Sequence, residues 1–268
     1  MIVVLLLVLV FLLYLLILNG RRQQPGWEKL NGFQYAHRGL HGDGVPENSM
    51  TAFRLATEKG FGIELDVHLL ADGTLAVIHD GTLLRTTGAE GKVEDLTAAD
   101  LANYRLEGTE DTIPSFRQAL ELVGGKVPLI VELKTDGNNY GALTDAVCEM
   151  LKDYPGAYCI ESFDPRCIYH LKKHHPYVIR GQLAENFLKN KVAAPFYQRL
   201  CVTCQLINFL TQPDFVAYKF ADRKRPGIFL VKHFWKLRMV GWTIKTPEDL
   251  RQAEAEGWLA IFEGFLPE

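Results

Sequence analysis

The sequence has little excess of charge of either sign: 29 lysine and arginine residues stand against 32 aspartate and glutamate residues in a chain of 268. A net charge of −3 creates no global field that would attract nucleic acid or anionic lipid, so any recognition of anions must be local. We therefore expect no nucleic-acid partner. The sequence also has no internal repeat and no low-complexity tract.

Cysteine is scarce and irregularly spaced. An odd number without a regular spacing argues against a disulfide framework. Cys201 and Cys204 form one isolated CxxC motif. Because no second cysteine pair lies nearby, buried or incidental thiols are favoured over a zinc or redox site. Reduced thiols fit a cytoplasmic domain. The five cysteines are Cys148, Cys159, Cys167, Cys201 and Cys204.

One long apolar run stands at the start of the chain. Residues 2–18 are uninterrupted apolar except for the hydroxyl of Tyr14. As a helix, with a rise of ~1.5 Å per residue, the run spans about 26 Å, near the lower limit for crossing a bilayer. The run predicts a transmembrane anchor over residues 1–19.

The flanks of this run bear on its orientation. No lysine or arginine precedes it, which disfavours the rival interpretation as a cleaved signal peptide. Arg21 and Arg22 follow it, so the positive-inside rule places the following domain in the cytoplasm. The polar segment 20–32, with Pro25, predicts a juxtamembrane linker.

From residue 33 onward, strand-like apolar runs alternate with amphipathic helical stretches. This alternation predicts an α/β fold with a parallel sheet. Helices are predicted over 49–59 and 114–123 and from Thr246, each with a capping signal at one end. Nine strand candidates exceed the eight places of a barrel, and 62–79 resembles a hairpin, so one strand of that hairpin or one weak candidate elsewhere is expected outside the barrel. The strand candidates are 33–37, 62–68, 75–79, 127–133, 158–163, 178–183, 215–219, 239–244 and 259–263.

Two carboxylates occupy alternate positions of one predicted strand. Glu64 and Asp66 project to the same face because side chains alternate along a strand. Like charges on a buried strand are costly unless they are neutralised, and Mg²⁺ or Ca²⁺ would neutralise them. The alternative interpretation is that the two carboxylates form an acidic edge that faces solvent. The apolar residues Ile63, Leu65 and Val67 on the opposite face fit both interpretations.

More candidates stand at other strand ends, where parallel barrels build their active sites. Glu132 and Lys134 follow an apolar run, and they fit either a site or a structural ion pair. His37 and His79 each end a short apolar run, and two imidazoles suit acid–base chemistry near neutral pH. Arg38 offers a two-pronged donor for phosphate.

The motifs of this chain resemble those of the glycerophosphodiester phosphodiesterases over roughly residues 34–248. The resemblance implies a TIM (β/α)8 barrel of the phospholipase-C-like type over 33–268, with a small insertion near the second strand at about 68–112. The motifs are AHRG, PENS, ELDV, ADG, VIHD, LLRTTG, VEDLT, IPSF, VELK, ESFDP and GWTIKTPEDL.

The resemblance also implies a role for each matching residue. His37 and His79 would be the acid–base pair, and one divalent cation, Ca²⁺ or Mg²⁺, would be held by three carboxylates. The implied metal ligands are Glu64, Asp66 and Glu132. The implied substrate-binding residues are Arg38, Lys134, Glu47, Asn48, Phe163 and Trp242.

The implied activity is hydrolysis of glycerophosphodiesters to sn-glycerol 3-phosphate and an alcohol. Lysophospholipase D-type hydrolysis at a membrane, a lyase that stops at a cyclic phosphate, and a non-catalytic lipid-binding barrel are the alternatives. Oligomeric state is not indicated. Residues 261–267 depart from the family pattern, which leaves the contribution of the last strand to the pocket open. Residues 184–212 match no motif and fit either helices against a membrane or packed core.

Overall fold

The computed structural model describes residues 1–21 and 26–267. The helices in these ranges are α1 (Ile2–Ile17), α2 (Met50–Glu58), α3 (Leu84–Thr87), α4 (Phe116–Val123), α5 (Tyr140–Leu151), α6 (Pro165–His174), α7 (Phe196–Thr203), α8 (Asn208–Thr211), α9 (Pro226–His233) and α10 (Pro247–Ala255). The strands are β1 (Tyr35–Ala36), β2 (Gly62–Leu69), β3 (Leu75–Val77), β4 (Leu129–Leu133), β5 (Tyr158–Ser162), β6 (Arg180–Ala184), β7 (Phe215–Lys219), β8 (Arg238–Ile244) and β9 (Leu259–Phe262).

Eight of these strands form a closed parallel barrel. Their order around the ring is β1, β2, β4, β5, β6, β7, β8 and β9, and β1 pairs with both β2 and β9 to close it. β3 pairs antiparallel with β2 and lies outside the ring. The predicted TIM barrel with a hairpin strand outside it is therefore confirmed. Closure brings the carboxyl ends of all eight strands to one face.

The predicted caps at Gly60, which follows α2 with φ of 75°, and at Thr246 are present, and Ser49 adds a cap that was not predicted. The Ser49 hydroxyl accepts from the amide of Ala52 at the start of α2, and the Thr246 hydroxyl accepts from the amide of Asp249 at the start of α10. Each bond satisfies one of the backbone donors that a helix leaves unpaired at its N-terminus. These local signals explain why sequence predicted both helices well.

The barrel interior is apolar at the amino ends of the strands. Tyr35, Phe215, Val240 and Ile261 are among the buried residues that fill it. Trp27 closes this end, with its ring centroid 5.4 Å from that of Phe215. The acidic cluster described below lies at the opposite end of the barrel, beyond this apolar packing.

A second small core lies between β2 and α4. It is formed by buried aliphatic side chains of the hairpin strand and of the loops and short helices that follow it. This segment has its own hydrophobic cluster, so it holds its shape beside the barrel. The cluster comprises Leu70, Ala76, Ile78, Leu83, Val93, Leu96, Leu101, Leu106 and Ile113.

The transmembrane anchor predicted over 1–19 is not confirmed. Helix α1 has 16 residues, about 24 Å at the usual rise, against about 30 Å of hydrocarbon core. None of the described helices is both long and apolar enough to cross a membrane. The C-terminal end of the apolar run packs on the barrel and is not free to enter a membrane. Leu18 is fully buried, and the Trp235 indole donates to the Leu15 carbonyl at 2.7 Å.

The orientation inferred from Arg21 and Arg22 depended on that anchor and is withdrawn with it. Arg21 forms an ion pair with Asp214 and donates to the carbonyl of Pro176 at 2.5 Å. The described part of segment 20–32 thus lies against the barrel, whereas Arg22 and Pro25 fall outside the described residues.

Candidate active site

Four carboxylates are aligned across neighbouring strands of the barrel. Asp66 of β2 is the register partner of Glu132 of β4, and Glu132 is in turn the partner of Glu161 of β5. Glu64 precedes Asp66 by two residues and therefore projects to the same side. The strand pairing, rather than any loop, assembles this acidic cluster.

The three predicted metal ligands come together. Glu64, Asp66 and Glu132 are all buried, and one oxygen of each lies within 4.8 Å of one oxygen of the others. Three buried carboxylate oxygens at this separation fit a hard divalent cation such as Mg²⁺ or Ca²⁺. Lys134 adds one positive charge, with Nζ 2.7 Å from Glu132 Oε1 and 3.0 Å from Asp66 Oδ1.

The protein's own cations do not neutralise this cluster completely. Burial, together with Asp66 and Glu132, raises the pKa of Glu64 well above its usual value. Burial also raises the pKa of Glu132 to about 7, although Lys134 opposes the shift. Burial alone would raise the pKa of Asp66, but Lys134, His79 and Arg38 hold it below the ordinary value. A divalent cation would neutralise the negative charge that burial disfavours here.

His37 follows β1 and is held by the end of the last strand. Its Nδ1 lies 2.7 Å from Glu263 Oε2, and its Nε2 lies 4.0 Å from Glu64 Oε2. The hydrogen bond to His37 lowers the pKa of Glu263 to about 2. The carboxylate thus accepts from Nδ1–H and leaves Nε2 directed at the acidic cluster. The last strand contributes to the site after all.

His79 is held in a parallel way by its neighbour in sequence. Its Nδ1 lies 2.6 Å from Asp80 Oδ1, and Arg85 Nε donates to Asp80 Oδ2 at 2.6 Å. Arg85 lowers the pKa of Asp80 to about 2. Burial lowers the pKa of His79, and Asp66 partly opposes this shift.

A network of arginines and polar groups surrounds both histidines. Glu47 accepts from Arg38 Nη1 at 2.8 Å and from Arg85 Nη2 at 2.7 Å, so it fixes both guanidinium groups. The Asn48 amide donates to Asp66 Oδ2 at 2.8 Å. Arg38 Nε is buried and, within the described part of the chain, makes no hydrogen bond; it lies 3.6 Å from Asp66 Oδ2. An unpaired guanidinium donor here is suited to an anionic oxygen.

One side of the site is aromatic. Phe163 packs edge-on against Trp242, with ring centroids 5.7 Å apart, and stacks on Phe187 at 5.8 Å. An open cavity of about 660 Å³ continues from Phe163 past Tyr197 and Ile207. The apolar carbons of a ligand could pack against these aromatic and aliphatic side chains.

A model of the Glycerophosphoryl diester phosphodiesterase family matches residues 37–263, which run from the first histidine to the carboxylate that holds it. This chain belongs to that family. The match covers nearly all of the barrel, so the sequence-based resemblance is confirmed.

Individual family members are similar over differing lengths. A glycerophosphodiester phosphodiesterase of Caldanaerobacter subterraneus is 35% identical over 158 residues, or 55% of this chain and 65% of the relative. One of Bacillus altitudinis is 40% identical over 129 residues, or 45% of this chain and 52% of the relative. The chain thus spans between half and two thirds of these relatives. Glycerophosphodiester phosphodiesterase 1 of Rattus norvegicus is 32% identical over 257 residues, covering 82% and 74%.

Solved structures of the family share the fold. An Oleispira antarctica phosphodiesterase in complex with the product sn-glycerol-3-phosphate superposes with a TM-score of 0.75, at 22% identity, over 89% of this chain and 95% of that one. A glycerophosphodiester phosphodiesterase from Thermotoga maritima gives 0.67 at 23% identity, over 87% and 95%. At these identities the similarity concerns architecture.

Several residues that contact this site were not among those predicted from the sequence. Asp80 and Arg85 stood in the quoted motifs VIHD and LLRTTG, so their adjacency to His79 was a usable signal. Glu161 stood in ESFDP, and its burial follows from the strand register. Glu263 and Phe187 carried no signal because both reach the site through tertiary packing.

Proposed function

We propose that this chain hydrolyses glycerophosphodiesters to sn-glycerol 3-phosphate and an alcohol. The observation that supports it best is the buried trio Glu64, Asp66 and Glu132, flanked by two histidines whose Nδ1 atoms are each held by a carboxylate. Such an arrangement orients two proton-transfer groups beside a cation site.

The three carboxylates are the residues that would hold one divalent cation. When bound, the cation supplies charge stabilisation for the phosphoryl oxygens. Arg38, through its unpaired Nε, and Lys134 contact the non-bridging oxygens of the phosphate. Glu47 orients Arg38 and Arg85, while Asn48 orients Asp66.

The glycerol moiety packs its carbons on Phe163 and Trp242, which places its 2-hydroxyl near phosphorus. One histidine takes the proton of that hydroxyl as its oxygen attacks phosphorus. The bond to the alcohol breaks, and the other histidine protonates the leaving oxygen. Water then attacks the five-membered cyclic phosphate with the two roles exchanged, which yields glycerol phosphate and restores both histidines.

The test is turnover of glycerophosphocholine followed by phosphorus NMR. We expect conversion to glycerol phosphate, loss of activity in excess chelator, and recovery on addition of Ca²⁺ or Mg²⁺. A protein that binds the diester but never converts it, with either cation, would instead be the non-catalytic barrel. Turnover that survives exhaustive chelation would remove the carboxylate trio from the mechanism.

Glu263 offers a graded test of how His37 is oriented. We expect Glu263→Gln to lower kcat by about 10–100-fold, because a hydrogen bond to a charged group contributes about 1.5–3 kcal/mol. KM should change little, since the side chain faces His37 rather than substrate. Steady-state kinetics of this variant and of the exposed control Glu254→Gln measure the effect. Equal kcat values in both would exclude the role for Glu263.

The open apolar cavity favours a second candidate substrate, a lysophospholipid. Its acyl chain would follow the wall from Phe163 towards Val202 and Ile207. We expect Val202→Asp to lower turnover of lysophosphatidylcholine while leaving that of glycerophosphocholine unchanged. If both substrates respond equally, or the lysophospholipid is not hydrolysed by the unmodified chain, water-soluble diesters are the substrates.

A further inference from the structure

Helices α5 and α6, on the outside of the barrel, bring a second group of metal-ligating side chains together. Asp145 lies on α5, His170 lies on α6, and His175 follows the end of α6. His170 Nε2 is 2.8 Å from Asp145 Oδ1, and His175 Nε2 is 2.7 Å from the same oxygen. None of the three belongs to the catalytic cluster.

Both imidazoles are directed at one point that solvent can reach. The side chains of His170 and His175 are only 16% and 18% exposed, whereas that of Asp145 is 55% exposed. Their ligating atoms all lie within 4.8 Å of one another. The His174 ring lies beside that of His170, tilted by 31° with ring centroids 4.3 Å apart. The ring positions are thus fixed while a path for an ion stays open.

The same three groups also make sense as hydrogen bonds that join two helices. Burial alone would raise the pKa of Asp145, but the hydrogen bonds from His175 and His170 outweigh it and lower the pKa below its usual value. The carboxylate is therefore ionised. A carboxylate oxygen has two lone pairs and can accept from both rings, so the same geometry fits hydrogen bonds and shared binding of a cation. Two imidazole nitrogens converging on one carboxylate oxygen form the donor set that zinc and similar cations prefer, unlike the all-oxygen trio in the barrel.

We propose that His170, His175 and Asp145 bind one Zn²⁺-class cation and thereby cross-link α5 to α6. On binding, each Nε2 gives up its hydrogen and each Nδ1 carries one instead, so that a neutral histidine donates a lone pair with no net loss of protons. The Tyr177 hydroxyl oxygen, 3.4 Å from His175 Nδ1, accepts a hydrogen bond from the Nδ1–H group. Water completes a tetrahedral set.

The test is equilibrium dialysis of the full chain against Zn²⁺ in the presence of excess Ca²⁺ and Mg²⁺, which compete for the barrel trio. We expect one tightly bound equivalent, with affinity reduced at least about 100-fold in the double variant His170→Gln/His175→Gln. Thermal unfolding, measured with and without Zn²⁺, should show stabilisation of the unmodified chain only, even if the variant starts from a lower Tm.

Two controls locate the ion. His174→Gln, on the same helix, should retain binding, and so should Cys201→Ser/Cys204→Ser, which removes the CxxC motif. Equal zinc content and affinity in the unmodified chain and the double histidine variant would overturn the proposal. Loss of the tight equivalent in the cysteine variant, or loss in His174→Gln as large as in the double variant, would also overturn it.

Discussion

Replacing His79 with glutamine is expected to lower kcat for glycerophosphocholine by about 10²–10⁴-fold, the usual contribution of a general acid or base. Burial lowers the pKa of His79 and so favours the uncharged ring, which is the form that can accept a proton. Steady-state kinetics of the variant measure the loss. The matched control is His174→Gln, which lies outside the barrel and should keep full activity.

A second substrate separates the two proton-transfer roles. In a glycerophosphodiester that carries a nitrophenyl group, nitrophenolate leaves without being protonated. Loss of the general acid should therefore lower the rate on this substrate only slightly. We expect one of the variants His37→Gln and His79→Gln to recover on this substrate, and the other to remain slow. If His79→Gln keeps near-normal rates on both substrates, His79 takes no part in the reaction.

Glu132→Gln is expected to lower kcat/KM by at least about 10²-fold at a cation concentration that saturates the unmodified protein. The substitution keeps the shape but removes one of three anionic ligands, and the charge stabilisation supplied by a bound cation amounts to several kcal/mol. When activity is titrated with Ca²⁺ or Mg²⁺, the variant should need a higher cation concentration for half-maximal activity than the unmodified protein. An unshifted titration with normal kcat/KM would exclude Glu132 as a ligand.

Stability provides an independent measurement for the same variant. Because the folded-state pKa of Glu132 is raised to about 7, its contribution favours folding at low pH and is lost as pH rises through that value. Without cation, Glu132→Gln should therefore gain Tm relative to the unmodified protein between pH 5 and pH 8. Added cation should raise the Tm of the unmodified protein, and at the same concentration it should raise that of the variant less.

Much of the candidate site could be predicted from sequence because it depends on local rules. Alternation along β2 put Glu64 and Asp66 on one side, and the parallel arrangement put Glu132 at the same end of its strand. The structure brings these three together. The contact between Asp80 and His79 is also local, because the two residues are adjacent in sequence. No role was predicted for Asp80, although its position beside His79 was a usable signal.

Other features could not be read from local patterns. Glu263 is 226 positions from His37, and the two meet only because β9 pairs with β1 when the barrel closes. Phe187 lies in the segment 184–212, which matched no motif, and reaches Phe163 through the packing of a loop. Long-range contacts of this kind leave no periodic signature in the chain.

The sequence by itself determined the alternation of strands and helices, the apolar and charged faces of each, and the residue types available for catalysis, because these depend on short-range geometry and burial. Tertiary structure decided where the N-terminal apolar helix ends, since its last turn packs on the barrel, and which carboxylate holds each histidine. It also decided that α5 and α6 bring Asp145 within hydrogen-bond distance of two imidazoles. Barrel closure and helix packing set these distances between residues far apart in the chain.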